Sequence, residues 1–155
     1  MKIGVIVYSQ SGHTLEVCEQ LKDRLVGSGH SAEIARVTVV GERTPQTKTF
    51  ELAECPDVSP YDAIVVASSV EAFSLCPVMQ RYMQGIGSLD GKKVACLVTQ
   101  QFPFAWMGGN RAVGQLSKLC QSKGASARAT AVVNWAKSKR EQTMTAAVDR
   151  LARLF

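Results

Sequence analysis

The sequence predicts a doubly wound α/β domain, a parallel sheet with helices on both faces. Five short apolar segments rich in β-branched residues, at 2–8, 32–37, 63–68, 93–99 and 128–135, read as strands buried on both sides. Amphipathic helix patterns stand between and behind them. That is a βα alternation, which right-handed crossovers close into one parallel sheet. At 155 residues, 46% hydrophobic and 20% charged, the chain is expected to form one domain over 1–155.

Each element has a local reason. The first strand stops at Ser9-Gln10-Ser11-Gly12-His13-Thr14, and Leu15, Cys18, Leu21 and Leu25 then line one helix face, with Gly27 and Gly29 ending it. Met79, Tyr82, Met83 and Ile86 line a second helix that opens with Pro77 in its first turn and stops at Gly85 and Gly87. A third carries Val113, Leu116 and Cys120 as far as Gly124, with Asn110 expected as its N-cap. Met144, Val148, Leu151 and Phe155 mark a fourth. One stretch breaks the alternation. Residues 38–60 are polar and hold Pro45, Pro56 and Pro60, with room for a short irregular helix at 49–53; a connection this long suggests a cover over the site or a partner contact.

Composition narrows the function classes. No run approaches the roughly 18 apolar residues of a membrane helix, and no cleavage pattern follows the apolar start, so a cytoplasmic protein without membrane insertion is expected. The formal charge of +5 is spread over Lys22, Arg24, Lys92, Lys93, Lys118 and Lys123, with a cluster at Lys137, Lys139 and Arg140. Without aromatic interleaving this is a solvated surface, not a nucleic-acid patch. Five cysteines and two histidines show no metal-binding spacing. Cys18, Cys96 and Cys120 sit on apolar faces, whereas Cys55 and Cys76 fall in expected loops.

The turn at 9–14 carries the chemistry. A strand, a hydroxyl-rich turn and a helix N-terminus together make an anion site, because first-turn N–H groups lack intrahelical partners and the helix dipole is positive there. Gly12 permits close approach or positive φ, and Ser9, Ser11 and Thr14 add hydroxyl donors. No Gly-Lys-Ser/Thr is present and only one glycine of a GxGxxG turn. The fitting ligand is therefore a phosphate monoester rather than a triphosphate or pyrophosphate.

This hexapeptide resembles the phosphate loop of flavodoxin-like proteins, T/S-x-T/S-G-x-T, in the family's position behind the first strand. The resemblance implies strand order 2-1-3-4-5 and FMN as cofactor, its phosphate held by Ser9, Gln10, Ser11, Gly12, His13 and Thr14. It implies a second flavin-contacting loop at Ser68, Ser69, Val70, Glu71, Ala72 and Phe73, where Phe73 either flanks the ring or packs into the core. Glu71 is expected to point to water, away from a reduced flavin it would repel. A third segment is implied at Thr99, Gln100 and Gln101, aimed at the ribityl chain or pyrimidine edge, with Gly108 and Gly109 admitting close backbone approach. Phe102, Phe104 and Trp106 crowd that segment. So much apolar area in a loop covers a flavin, a substrate or a subunit interface.

The departures choose among functions. Electron carriers of this family are acidic and use a flexible turn, often with glycine, beside the flavin; here the chain is basic and 68–74 hold no glycine. Positive φ there would cost about 1 kcal/mol or more. A two-electron NAD(P)H-dependent quinone or flavin-type reductase is thus expected ahead of a one-electron carrier serving a redox partner protein, with a flavin-free interaction module behind both. No catalytic side chain is nominated, since the flavin carries the chemistry. Residues 38–60 and 99–109 are the candidate surfaces for a homo-oligomer.

Overall fold

The computed structural model describes residues 1–44, 49–102, 104–136 and 138–155, so Pro45, Pro103 and Lys137 lie outside the described residues. The elements run Lys2–Val7 (β1), His13–Gly27 (α1), Ser31–Arg36 (β2), Ala63–Glu71 (β3), Ser74–Leu75 (β4), Pro77–Gly85 (α2), Lys93–Gln100 (β5), Gly109–Ser122 (α3), Ala127–Asn134 (β6) and Arg140–Ala152 (α4). Five parallel strands lie in the order β2-β1-β3-β5-β6, with Val5 beside Ile34 on one side and Val65 on the other. With β4 set aside, this is the expected 2-1-3-4-5 arrangement. Because the strands are parallel, their C-terminal ends and the segments that follow share one edge.

Side-chain alternation sends successive residues to opposite faces, and both faces are dry over the inner strands; the edge strand β2, expected to be buried on both sides, instead exposes Ser31, Glu33 and Arg36 because it has a neighbour on one side only. Ile6, Ile64, Val66, Cys96 and Val98 pack under Met79 and Met83 of α2 and Leu116 and Cys120 of α3. On the other side Ile3, Val5, Val65, Leu97 and Val133 meet Leu21 and Leu25 of α1 and Met144, Val148 and Leu151 of α4. Each such aliphatic side chain contributes about 1.5–3 kcal/mol on burial. Gly4 is required by space: a Cβ there would lie 2.5 Å from the Tyr61 ring, which covers the bare backbone.

Two local expectations are corrected. Residues 49–53 form no helix; Val39 bridges Leu52 antiparallel, Val40 N–H donates to Glu51 O at 2.8 Å, and Ala53 N–H to Thr38 O at 2.8 Å. Phe50 and Leu52 pack against the core from this ladder, an alternation that extended chain satisfies and a single helical turn does not. The N-cap of α3 is Gly108, not Asn110, whose N–H donates to Ala105 O at 2.8 Å.

Candidate functional site

At the shared strand edge, β1 releases the chain into the hydroxyl turn. Gly12 caps α1 with φ of 90°, its N–H held by Ser9 Oγ at 3.1 Å, and its carbonyl accepts from Glu16 N–H at 3.0 Å. No atom lies within 4 Å of where a Gly12 Cβ would stand, so the glycine serves conformation, not space. Ser11 and Gly12 are exposed, while Ser9 and Thr14 are buried beneath them. Among the described residues, the N–H groups of Ser11, His13 and Thr14 enter no hydrogen bond. The turn thus presents unpaired donors at the positive end of a 15-residue helix, which fits a phosphate monoester.

The segment 68–74 is a hairpin. β3 continues through Ser68, Ser69 and Val70 to Glu71, and the chain returns in β4 with Val70 opposite Leu75 and Glu71 opposite Ser74. Ala72 and Phe73 make the two-residue turn with φ of 49° and 62°. Both are in the left-handed region usually given to Asn-Gly. The absence of glycine pointed away from positive φ here, yet the structure adopts it twice. What holds it is tertiary contact. The Phe73 ring stacks on Phe102 at 5.1 Å and 10° from parallel, and Gly108 presses against the Phe73 backbone, where a Cβ would sit 2.8 Å from Phe73 Cα.

Glu71 does not face water. Its carboxylate receives both terminal nitrogens of Arg43 at 2.9 Å, and Cys76 Sγ donates to it at 2.8 Å. The Arg43 side chain is 3% exposed and Glu71 10%. Burial pushes the Glu71 carboxyl up, but the bonds from Arg43 and Cys76 and the guanidinium charge outweigh it and hold the carboxyl below its ordinary value. Burial, the bond to Glu71 and its charge push the Cys76 thiol up to about 12. Arg43 comes from the long polar segment, and Gln10 Nε2 of the hydroxyl turn donates to its carbonyl. Sequence reading missed Arg43 and Cys76 as site residues. A buried arginine in a polar loop has no local signature, and Cys76 stands out in the sequence only as a cysteine in an expected loop.

The third segment ties the others together. The hydroxyls of Thr99 and Thr14 are hydrogen-bonded at 2.7 Å, and Gln101 Nε2 donates to His13 Nδ1 at 3.1 Å while the His13 ring stacks on Trp135 at 4.2 Å. Trp135 is a further contact that strand periodicity does not reveal, since the sequence places it only at a strand end. The Gln100 side chain is turned inward, donating to Phe104 O and Asn134 Oδ1 at 2.6 Å each, with Oε1 buried and unpaired. Gly109 packs so tightly that a Cβ would lie 2.6 Å from Val132 Cγ1. Phe104 stacks on Trp106 at 6.0 Å, and the rim stays open: Phe102 is 38% exposed, Phe104 49%, Phe73 51% and Trp106 74%. A cleft of about 310 Å³ lies between Phe73, Trp106, Met107, Gly108 and Arg111.

Among the described residues no cluster of His, Cys, Asp and Glu fits a metal ion, and no helix is long and apolar enough to cross a membrane. What the edge offers is an anion turn and an aromatic-walled rim within one set of contacts, which fits a phosphorylated, flat aromatic group.

No family model matches the sequence, and no curated protein matches it. Solved structures do. The chain is similar to Flavodoxin 2 from Bacillus cereus at 19% identity, with a TM-score of 0.73 and all of both chains covered. It is similar to a Streptococcus pneumonia TIGR4 flavodoxin at 16% identity and TM-score 0.69, again over 100% of each chain. It also matches the azoreductase AzrA at 12% identity and TM-score 0.68, over 99% of this chain and 98% of that one. The fold is flavodoxin-like.

Proposed function

We propose that this chain binds FMN and acts as a two-electron reductase, using NAD(P)H to reduce a quinone-type or flavin-type acceptor. The observation that carries the reading is the convergence of the unpaired-donor turn at 9–14 with the aromatic rim of Phe73, Phe102, Phe104 and Trp106, joined by the Thr14–Thr99 hydroxyl pair. The matched structures include both flavodoxins and an azoreductase, in keeping with redox work on this fold. FMN, when bound, supplies hydride acceptance and delivery. The chain's own residues do the rest. Ser11 and the unpaired N–H groups of Ser11, His13 and Thr14 face the phosphate, with Ser9 and Thr14 bracing the turn beneath them; the 72–73 turn and Gly108 set one edge for the ring, and the exposed rim aromatics offer apolar faces to cover it. A cytoplasmic enzyme with access to NAD(P)H fits this assignment.

A one-electron carrier is the second reading, and one observation favours it. Ala72 and Phe73 already hold positive φ, so the missing glycine is no barrier to the backbone geometry such carriers use.

Purified protein should be yellow and release FMN on denaturation. Ser11→Asp sets a carboxylate where the phosphate belongs, at an exposed residue, so it should abolish FMN retention while leaving the circular dichroism unchanged. Full retention in that variant would remove the assigned site. Anaerobic addition of NADH or NADPH should bleach the flavin in one two-electron step; failure to bleach, with a one-electron form dominating photoreduction, would select the carrier instead.

A further inference from the structure

Charge along the chain is divided in a way the net value hides. From Gly91 to Arg140 there is no aspartate or glutamate, but there are nine lysines and arginines; the rest of the chain holds the other nine and all thirteen acids. β5, α3 and β6 are therefore built without a negative side chain. Arg111 lies in the first turn of α3, exposed, and among the described residues it has neither a carboxylate nor a hydrogen-bond partner. It stands at the cleft walled by Trp106, Phe73, Met107 and Gly108. An unneutralised guanidinium beside two exposed aromatic faces is complementary to a flat apolar ring that carries an anion: the rings bury the plane and the planar fork pairs with a carboxylate or sulfonate.

We propose that this cleft is the acceptor subsite, and that it selects planar aromatic acceptors bearing an anionic substituent. The proposal rests on the reductase reading above. Its volume of about 310 Å³ suits one bicyclic or small tricyclic ring. Phe73 and Gly108 line the cleft and also meet at the 72–73 turn, so an occupant lies beside the segment assigned above to the flavin ring. The overall reaction is quinone plus NAD(P)H plus a proton giving hydroquinone and NAD(P)⁺. Two electrons and one proton leave the nicotinamide as hydride, and the second proton comes from solvent.

The test separates the cleft from the reductase. Calorimetric titration of FMN-loaded protein with 2-naphthalenesulfonate and with neutral 2-naphthol measures binding without turnover. The sulfonate should bind about tenfold more tightly, the scale of one charge-assisted pair at a partly open site. Arg111→Gln should erase that preference with little effect on 2-naphthol, and Lys118→Gln, on the same helix outside the cleft, should preserve it. In turnover, Arg111→Gln should raise KM for anthraquinone-2-sulfonate several-fold more than it raises KM for menadione. Equal affinity for the two naphthalenes, or a preference lost equally in both variants, would overturn the subsite while leaving menadione reduction to stand. Protein that takes up no FMN and reduces neither quinone would overturn the reductase, whatever the naphthalenes show.

Discussion

Arg43, Glu71 and Cys76 form a buried hydrogen-bonded group near the site. Desolvating a guanidinium and a carboxylate is costly, and the pair persists because its bidentate geometry and the Cys76 thiol leave the carboxylate well satisfied. Arg43→Met strands Glu71 and should lower stability by about 3–5 kcal/mol in urea unfolding, with part of the loss recovered by adding Glu71→Leu. An additive double variant would mean that the two side chains do not interact. The pair also sets a pH dependence. The folded Glu71 carboxyl is held below its ordinary value, so its contribution is complete above the unfolded value of about 4.3 and disappears as pH falls through the lower folded one. The stability gap between the parent and Glu71→Gln should therefore be flat near neutrality and shrink below about pH 4.

Among the elements, the β3–β4 hairpin shows how tertiary contact overrules local preference. Two non-glycine residues at positive φ cost about 1–2 kcal/mol each, and nothing in the string Glu71-Ala72-Phe73-Ser74 signals a tight turn. The signal lies elsewhere in the chain, in Gly108, whose own φ of 113° and missing Cβ let its backbone lie against Phe73. Gly108→Ala violates both conditions. It should destabilise the protein and, because it displaces the turn edging the ring slot, weaken FMN retention; a variant with parental melting temperature and flavin content would show that the close approach is dispensable. The N-terminus of α3 is a related case. Asn110 has the right chemistry for a cap, but Gly108 occupies that position because the chain enters the helix through a left-handed residue.

For the molecule as a whole, what was legible followed from periodicity. Runs such as Ile3 to Val7 and Ala63 to Ala67 read as strands buried on both faces, and the helix faces pack onto the sheet where their spacing placed them, except that Ile86 and Phe155 fall just past the ends of α2 and α4. The hydroxyl turn was legible because its residues are contiguous. Contacts between residues distant in sequence were not: Arg43 with Glu71, Thr14 with Thr99 and His13 with Trp135 depend on strand order and register before any local rule applies. Packing on this scale also controls thiol reactivity. Cys18, Cys76, Cys96 and Cys120 are buried and Cys55 is exposed, so Ellman's reagent should titrate one thiol in native protein and all five after denaturation. More than one fast-reacting thiol would contradict the closed core.

The buried pair and the open arginine differ in one further respect. Dissolved ions screen charges across water within about 10 Å at 0.1 M but reach an enclosed pair poorly. Arg43–Glu71 is sealed from that atmosphere and Arg111 stands in it. Ionic strength is therefore a dial on only one of them: raising it should weaken 2-naphthalenesulfonate binding at the proposed cleft while the Ala72–Phe73 turn keeps its shape.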